Sequence, residues 1–373
     1  MISQTIHSRE RDSMTAKVTA VLGGQVGSEG KGKFVGYLAR HDQFNTAICH
    51  FMSNAGHSWV NDEGDKIIVQ QLPMAVVNPN ALLMIGAGSA FDIDILVSEL
   101  NKYDAWNRVV IHPRAMVIEQ RHKDQEAISL NRISSTLKGC GFASADKITR
   151  GENVTLAKDL KCRLSALVAP TPALFEHILH EESRVLLEVA QGYDLDINHG
   201  VEYPYCTSRQ TTVTQSLADS ALPPQSIDEV IAVIRPYPIR VGNAYDKDGN
   251  MIGTSGSYPS REIDWDTVAM RAGMPREEIT EFATVTGKLR RVFEFDMDRI
   301  VKMVRSNGVT QIALNFANYI DYKVQGATRI EDITPKVWAF IHEIELATGV
   351  RVTLIGTGAK DNEIVDLRGT TAR

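Results

Sequence analysis

No run of about eighteen apolar residues occurs anywhere in the 373-residue chain, so the sequence offers no membrane-spanning helix. Cysteine is scarce. Cys49, Cys140, Cys162 and Cys206 form no CxxC pair and have no histidine at zinc-finger spacing, so neither a disulfide framework nor a structural zinc is indicated. Residues 1–16 carry no apolar segment that would serve as a signal peptide, and they read as a flexible leader. No repeat, low-complexity linker or break in composition divides the rest, so 17–373 is expected to be a single catalytic domain. No lysine or arginine block stands out and the formal net charge is -6, which argues against a nucleic-acid surface. A nucleotide, which needs only a local nest of donors, remains compatible. With 43% hydrophobic and 23% charged residues, the composition is that of a globular enzyme, expected in the cytoplasm.

Short apolar runs ending in glycine or polar loops recur, at 18–22, 46–52, 66–72, 82–85, 184–190, 230–235, 311–315 and 350–355. Each reads as a buried parallel strand. Helical periodicity falls between them, at 30–40, 91–102, 172–181, 296–305 and 335–346. Strands alternating with helices predict an α/β fold with a mostly parallel central sheet flanked by helices. Ligands of such sheets sit at the carboxyl ends of the strands.

The first strand runs into Gly23-Gly24-Gln25-Val26-Gly27-Ser28-Glu29-Gly30-Lys31-Gly32-Lys33. Glycines there let backbone N–H groups converge on an anion, and the helix that follows adds its dipole. Lys31 and Lys33 supply point charges. The run from Gly27 fits GxxxxGK, yet Phe34 stands where a Walker loop carries the magnesium-binding Ser or Thr. A plain glycine turn is the alternative; position and the paired lysines favour a phosphate loop.

The loop VGSEGKGK resembles the WGDEGKGK signature of adenylosuccinate synthetases. Further matches follow in order. Ser53-Asn54-Ala55-Gly56-His57-Ser58 resembles NAGHT, and Ala190-Gln191-Gly192 resembles AQG. Asp196 to Gly200 resembles DIDHG, Tyr203 to Ser208 resembles YPYVTS, Trp265-Asp266-Thr267-Val268-Ala269 resembles WLDTVA, and Thr357-Gly358 resembles STG. The resemblance implies a P-loop-like ligase in which a triphosphate phosphorylates O6 of a purine monophosphate and L-aspartate then displaces that phosphate.

Residue roles carry over by position. Gly27, Ser28, Glu29, Gly30, Lys31, Gly32, Lys33, Gly56, His57 and Ser58 fall on the triphosphate site, together with Asn315, Ala317, Asn318, Gly356, Thr357 and Gly358. Ser28 and His57 fall on the catalytic pair, and Ser28 and Gly56 on the Mg2+ ligands. Ser28, Asn54, Ser135, Thr136, Arg150, Gln191 and Thr207 fall on the monophosphate site, with Arg150 reaching the neighbouring subunit of a homodimer. Thr254, Ser255, Gly256 and Arg261 fall on the aspartate loop, spelled TTGRRRR in the family.

Three departures bear on the substrate. Ser28 replaces the family's catalytic aspartate, and a smaller, neutral side chain leaves room for the 2-amino group of guanine. The arginine-rich loop is degenerate, keeping only Arg261, which weakens the reason to prefer a ribose 2′-OH. Asn318 replaces the aspartate that reads guanine in the donor, which suits ATP or dATP. Together they resemble the phage branch of the family, which condenses dGMP with L-aspartate for diaminopurine DNA; the enzyme would then work in the host cytoplasm. An ordinary enzyme using IMP and GTP, or an inactive nucleotide-binding protein, are the alternatives.

Overall fold

A computed structural model describes residues 16–170, 177–178, 180, 183–282 and 287–369. Most of the helix expected at 172–181 and nearly all of the leader fall outside these residues. Nine strands form the central sheet: β1 (Lys17–Gly23), β2 (Thr46–Cys49), β3 (Leu82–Ile85), β4 (Val109–Ile111), β5 (Arg184–Gly192), β6 (Ile227–Ile234), β7 (Gln311–Leu314), β8 (Val352–Gly356) and β9 (Ile364–Asp366). Their spatial order is β9-β8-β7-β6-β1-β5-β2-β3-β4. All neighbours are parallel except β8 and β9, which are antiparallel.

Alternation along each strand builds two cores, one on each face. In β1, Val18, Ala20 and Leu22 face one cluster while Val21 faces the other. The same division separates Val185, Leu187 and Val189 from Leu186 in β5, and Ile312 and Leu314 from Ala313 in β7. Strands buried on both faces read as unbroken apolar runs, which is why their positions were legible. Helices α1 (Lys31–His41), α2 (Gln120–Ser129), α3 (Cys140–Thr149), α4 (Trp265–Ala272), α5 (Met297–Asn307) and α6 (Pro335–Thr348) accompany the sheet. Aspartate side chains cap α4 and α5, Asp264 accepting from Thr267 N and Asp296 from Arg299 N.

The run at 66–72 departs from expectation. Its strand, Lys66–Val69, pairs antiparallel with His57–Val60 in a separate hairpin instead of joining the sheet. That hairpin lies against α1, where a Cβ on Gly32 would stand 2.7 Å from Ser58 O. A further small antiparallel sheet joins Ile239–Arg240, Arg291–Phe293 and Glu262–Ile263. Its cluster of Ile239, Trp265, Val268, Ala269 and Val292 explains the buried face of α4.

Candidate active site

The carboxyl ends of β1, β2, β5 and β6 open onto a cleft of about 390 Å³. It is lined by Gly27 to Gly32, by Asn54, Gly56, His57 and Ser58, by Ser135 and Thr136, and by Gln191, Thr207 and Ser255. Thus the order of strands in the sheet gathers residues scattered over most of the sequence.

The phosphate loop is held from within. Buried Glu29 turns its carboxylate back to accept from Gln25 N and Gly27 N, both at 2.9 Å. Those two N–H groups are therefore committed, and an anion must be met by the later N–H groups leading into α1. Burial raises the Glu29 pKa despite these hydrogen bonds. Gly30 has φ 78, and a Cβ there would stand 2.1 Å from Asn315 Nδ2, so both backbone and packing demand glycine.

The two loop lysines part company. Lys31 stays at the cleft, its Nζ 3.4 Å from His57 Nδ1 and 3.7 Å from Glu188 Oε1. Lys33, expected to face phosphate, does not line the cleft; it donates instead to Gly358 O and Glu363 O, each at 2.7 Å. Burial lowers its pKa to about 7. Lys33 therefore ties α1 to the loop between β8 and β9. We expect Lys33→Met to lower stability by roughly 2–4 kcal/mol, because two carbonyls lose their donor; urea unfolding with an unchanged slope checks this.

His57 is 9% exposed and stacks on Phe51 with ring centroids 4.1 Å apart. Its Nδ1 lies 3.0 Å from Glu188 Oε1. Burial and Lys31 pull the imidazole below its ordinary pKa, against the opposing effect of Glu188. Glu188 itself is held below the usual carboxylate value: burial would raise it, but His57 and Lys31 outweigh that. Sequence reading passed over Glu188, although a lone carboxylate inside the apolar run Val185 to Ala190 was an available signal.

Ser28 sits at φ 61 with both oxygens engaged. Its carbonyl accepts from Arg235 Nη1 at 2.9 Å, and its hydroxyl accepts from Arg290 Nη1. Arg235 is fully buried, pairs with Glu281 and lies over the Phe316 ring at 4.2 Å. Arg290, Glu281 and Arg240 line the cleft, and none of the three was singled out in the sequence. Burial lowers the Arg290 pKa, with Glu281 opposing it.

Arg261 lies elsewhere. Its side chain is 73% exposed, it pairs with Glu294 at 3.0 Å, and it is absent from the cleft lining. Of its loop, Ser255 reaches the cleft, whereas Thr254 bonds Asn243 and Gly256 O accepts from Arg291. The misplacement has a clear source. The stretch Thr286-Gly287-Lys288-Leu289-Arg290-Arg291 fits the spelling TGRRRR better than 254–261 does, and it delivers Arg290 to the cleft.

Of the residues expected to hold the monophosphate, Gln191 Nε2 donates to Asn54 Oδ1 at 3.0 Å, so the structure brings these two together. The Ser135 hydroxyl is spent on Glu126. The buried hydroxyls of Ser134 and Thr207 have no hydrogen-bond partner, which leaves them available to a ligand. Arg150 is exposed at the left-handed end of α3 and does not line the cleft.

Asn315, Ala317 and Asn318, after β7, and Gly356, Thr357 and Gly358, at and after the end of β8, lie outside the cleft lining, with Asn315 against both Gly30 and Gly356. Asn315 Nδ2 donates to Glu29 O at 2.9 Å and Asn318 Nδ2 to Gln325 Oε1 at 2.8 Å. The Oδ1 atoms of both asparagines are buried without a partner, acceptors suited to an amino group.

A phosphate loop, a buried His-carboxylate pair and a polar cleft at the strand ends define a nucleotide-dependent enzyme. The sequence model of the adenylosuccinate synthetase family matches residues 20–157 and 151–322. Adenylosuccinate synthetase of Methanococcus aeolicus is 35% identical over 357 residues, covering 94% of this chain and 99% of that protein. That of Pyrococcus horikoshii is 35% identical over 362 residues, covering 94% and 98%. Among solved structures, cyanophage S-2L succinoaminodeoxyadenylate synthetase bound to dGMP and dATP aligns with TM-score 0.79 and 28% identity, covering 95% of this chain and 96% of that one. Plasmodium falciparum adenylosuccinate synthetase aligns with TM-score 0.77 at 16% identity, covering 94% and 100%, a likeness of fold. The chain belongs to the adenylosuccinate synthetase family and is a carbon–nitrogen ligase.

Proposed function

We propose that the chain condenses dGMP with L-aspartate, driven by ATP or dATP through a 6-phosphoryl intermediate, giving N6-succino-2-amino-2′-deoxyadenylate. The observation that carries this reading is Ser28, a small neutral residue in the cleft where the family places aspartate. The partnerless Oδ1 of Asn318, an acceptor for an adenine amino group, supports an adenine donor. The likeness to a phage enzyme bound to dGMP and dATP is consistent with both. The higher identity to enzymes named adenylosuccinate synthetase favours the second reading, IMP with GTP.

In the proposed reaction, Lys31 and the N–H groups entering α1 hold the γ-phosphate, and His57 meets the oxygen being phosphorylated. Ser28 and Arg290 face the base. Arg290 and Arg240 provide the guanidinium groups for the aspartate carboxylates, the role first expected of Arg261. The Gly56 carbonyl at the cleft is a hard oxygen suited to Mg2+, whereas both Ser28 oxygens already accept from arginines, so a ligand role there requires those arginines to withdraw. Bound Mg2+ would offset the triphosphate charge. Exposed Arg150 is assigned to a neighbouring copy's site in a homodimer.

A substrate matrix tests the reading: dGMP, GMP or IMP with ATP, dATP or GTP, plus L-aspartate and Mg2+, followed by mass spectrometry. We expect the aspartate adduct of dGMP with an adenine triphosphate. Adduct from IMP and GTP alone would transfer the assignment to the second reading, and no adduct from any pair would favour an inactive nucleotide-binding protein.

A further inference from the structure

We infer that Glu188 is the positioning residue for His57: from the middle of β5 its buried carboxylate keeps a proton on Nδ1, so that Nε2 is the ring nitrogen presented to the ligand. Four observations place it there. Glu188 is 1% exposed on a strand otherwise apolar from Val185 to Ala190, an environment that a carboxylate enters only with partners. Its Oε2 accepts from Met74 N at 2.9 Å, which fixes the carboxylate plane. Its Oε1 is buried without a hydrogen-bond partner of full geometry; His57 Nδ1 is the nearest polar atom facing it, at 3.0 Å, with Lys31 Nζ farther off at 3.7 Å. Stacking of His57 on Phe51 fixes the ring plane, so the choice of tautomer passes to the group at Nδ1.

The charged and titratable groups around His57 come from three elements. Lys31 approaches from α1 and Glu188 from β5. Cys49 lies at the end of β2 beside Glu188, its thiol pushed well above the ordinary range by burial and by that carboxylate, so it stays protonated. Lys31 Nζ, which can only donate, competes for Nδ1 from 3.4 Å, beyond the usual hydrogen-bond range, whereas the Glu188 acceptor stands nearer at 3.0 Å and draws the imidazole proton to Nδ1. A carboxylate behind a histidine raises the basicity of the opposite nitrogen and holds the ring in one orientation.

The inference rests on His57 acting at the transferring phosphoryl group. Glu188→Gln is the informative change because one amide oxygen can keep the Met74 hydrogen bond. The amide NH2 then faces Nδ1 and donates to it, which reverses the tautomer. We expect kcat to fall about 100-fold with KM for both nucleotides within about threefold. We also expect 15N chemical shifts of the ring to move the proton from Nδ1 in the native enzyme to Nε2 in the variant. Glu188→Asp, which keeps the charge, should recover part of kcat and the native 15N pattern. A native enzyme with its proton on Nε2, or a Glu188→Gln protein that retains full kcat, overturns the inference. The native 15N pattern is read without substrate. Absence of ligase activity alongside a proton on Nδ1 would therefore strike the functional reading and leave the Glu188 relation standing.

Discussion

Replacing His57 by asparagine is expected to lower turnover about 1,000-fold, with nucleotide affinity changed only a few-fold. Several features separate this residue from a histidine that merely fills space. Its ring is 9% exposed yet lines the cleft, so one edge meets ligand while the rest is packed. Burial and Lys31 hold it neutral near physiological pH, and a neutral imidazole can both accept and donate a proton. Phe51 and Glu188 fix its orientation before any substrate arrives, so little reorganisation remains at the moment of transfer. Asparagine occupies similar space and can still hydrogen-bond, which preserves the fold while removing the transferable proton. Steady-state kinetics with separate measurement of nucleotide binding checks this. A loss seen chiefly in KM would assign His57 to binding instead.

Ser28→Asp is expected to lower turnover with dGMP about 100-fold, equivalent to roughly 2.7 kcal/mol of transition-state stabilisation. Aspartate tolerates the φ of 61 found at this position, so backbone strain is not the cause. The new carboxylate would sit opposite Arg290, which now donates to the Ser28 hydroxyl, and would capture that guanidinium as an ion pair. Aspartate binding would lose its arginine while the purine 2-amino group lost its space. IMP, which lacks that amino group, should suffer less. Ser28→Ala separates the two uses of serine. A loss below about tenfold means that Ser28 acts by leaving room, and a loss as large as that of Ser28→Asp assigns the hydroxyl a part in the proton path. Full activity of Ser28→Asp with dGMP would refute the substrate reading of this position.

How far the sequence reaches can be judged from particular residues. The strand at 82–85 was predicted to the residue, and β1, β7, β8 and the helices α5 and α6 lie within two or three residues of their expected bounds. Apolar runs, turn glycines and helix caps are local signals, and a sheet buried on both faces states them without ambiguity. The glycine-rich turn between β1 and α1 was equally plain, since its glycines answer to backbone conformation.

Elsewhere local pattern misled. The run at 66–72 has the composition of a sheet strand, yet it pairs with the His57 hairpin, because pairing partner is a long-range property. Lys33 shares its motif with Lys31, but the helix turns its Nζ onto Gly358 and Glu363. Arg261 carries a suitable guanidinium that the fold spends on Glu294, while Arg290 arrives beside Ser28 from a different segment.

By itself, then, the sequence determined the alternation of strand and helix, the glycine-rich turn after β1 and the order of the family motifs, because backbone periodicity and turn chemistry are written within a few neighbouring residues. Only the tertiary structure decided which charges meet: Glu188 behind His57, Arg290 against Ser28, Lys33 on the carbonyls of Gly358 and Glu363. The first of those contacts follows from the sheet order, which sets β5 between β1 and β2 and brings their carboxyl ends to one cleft. A side chain's partner there is fixed by strand pairing across the sheet, and spacing along the chain carries no record of it.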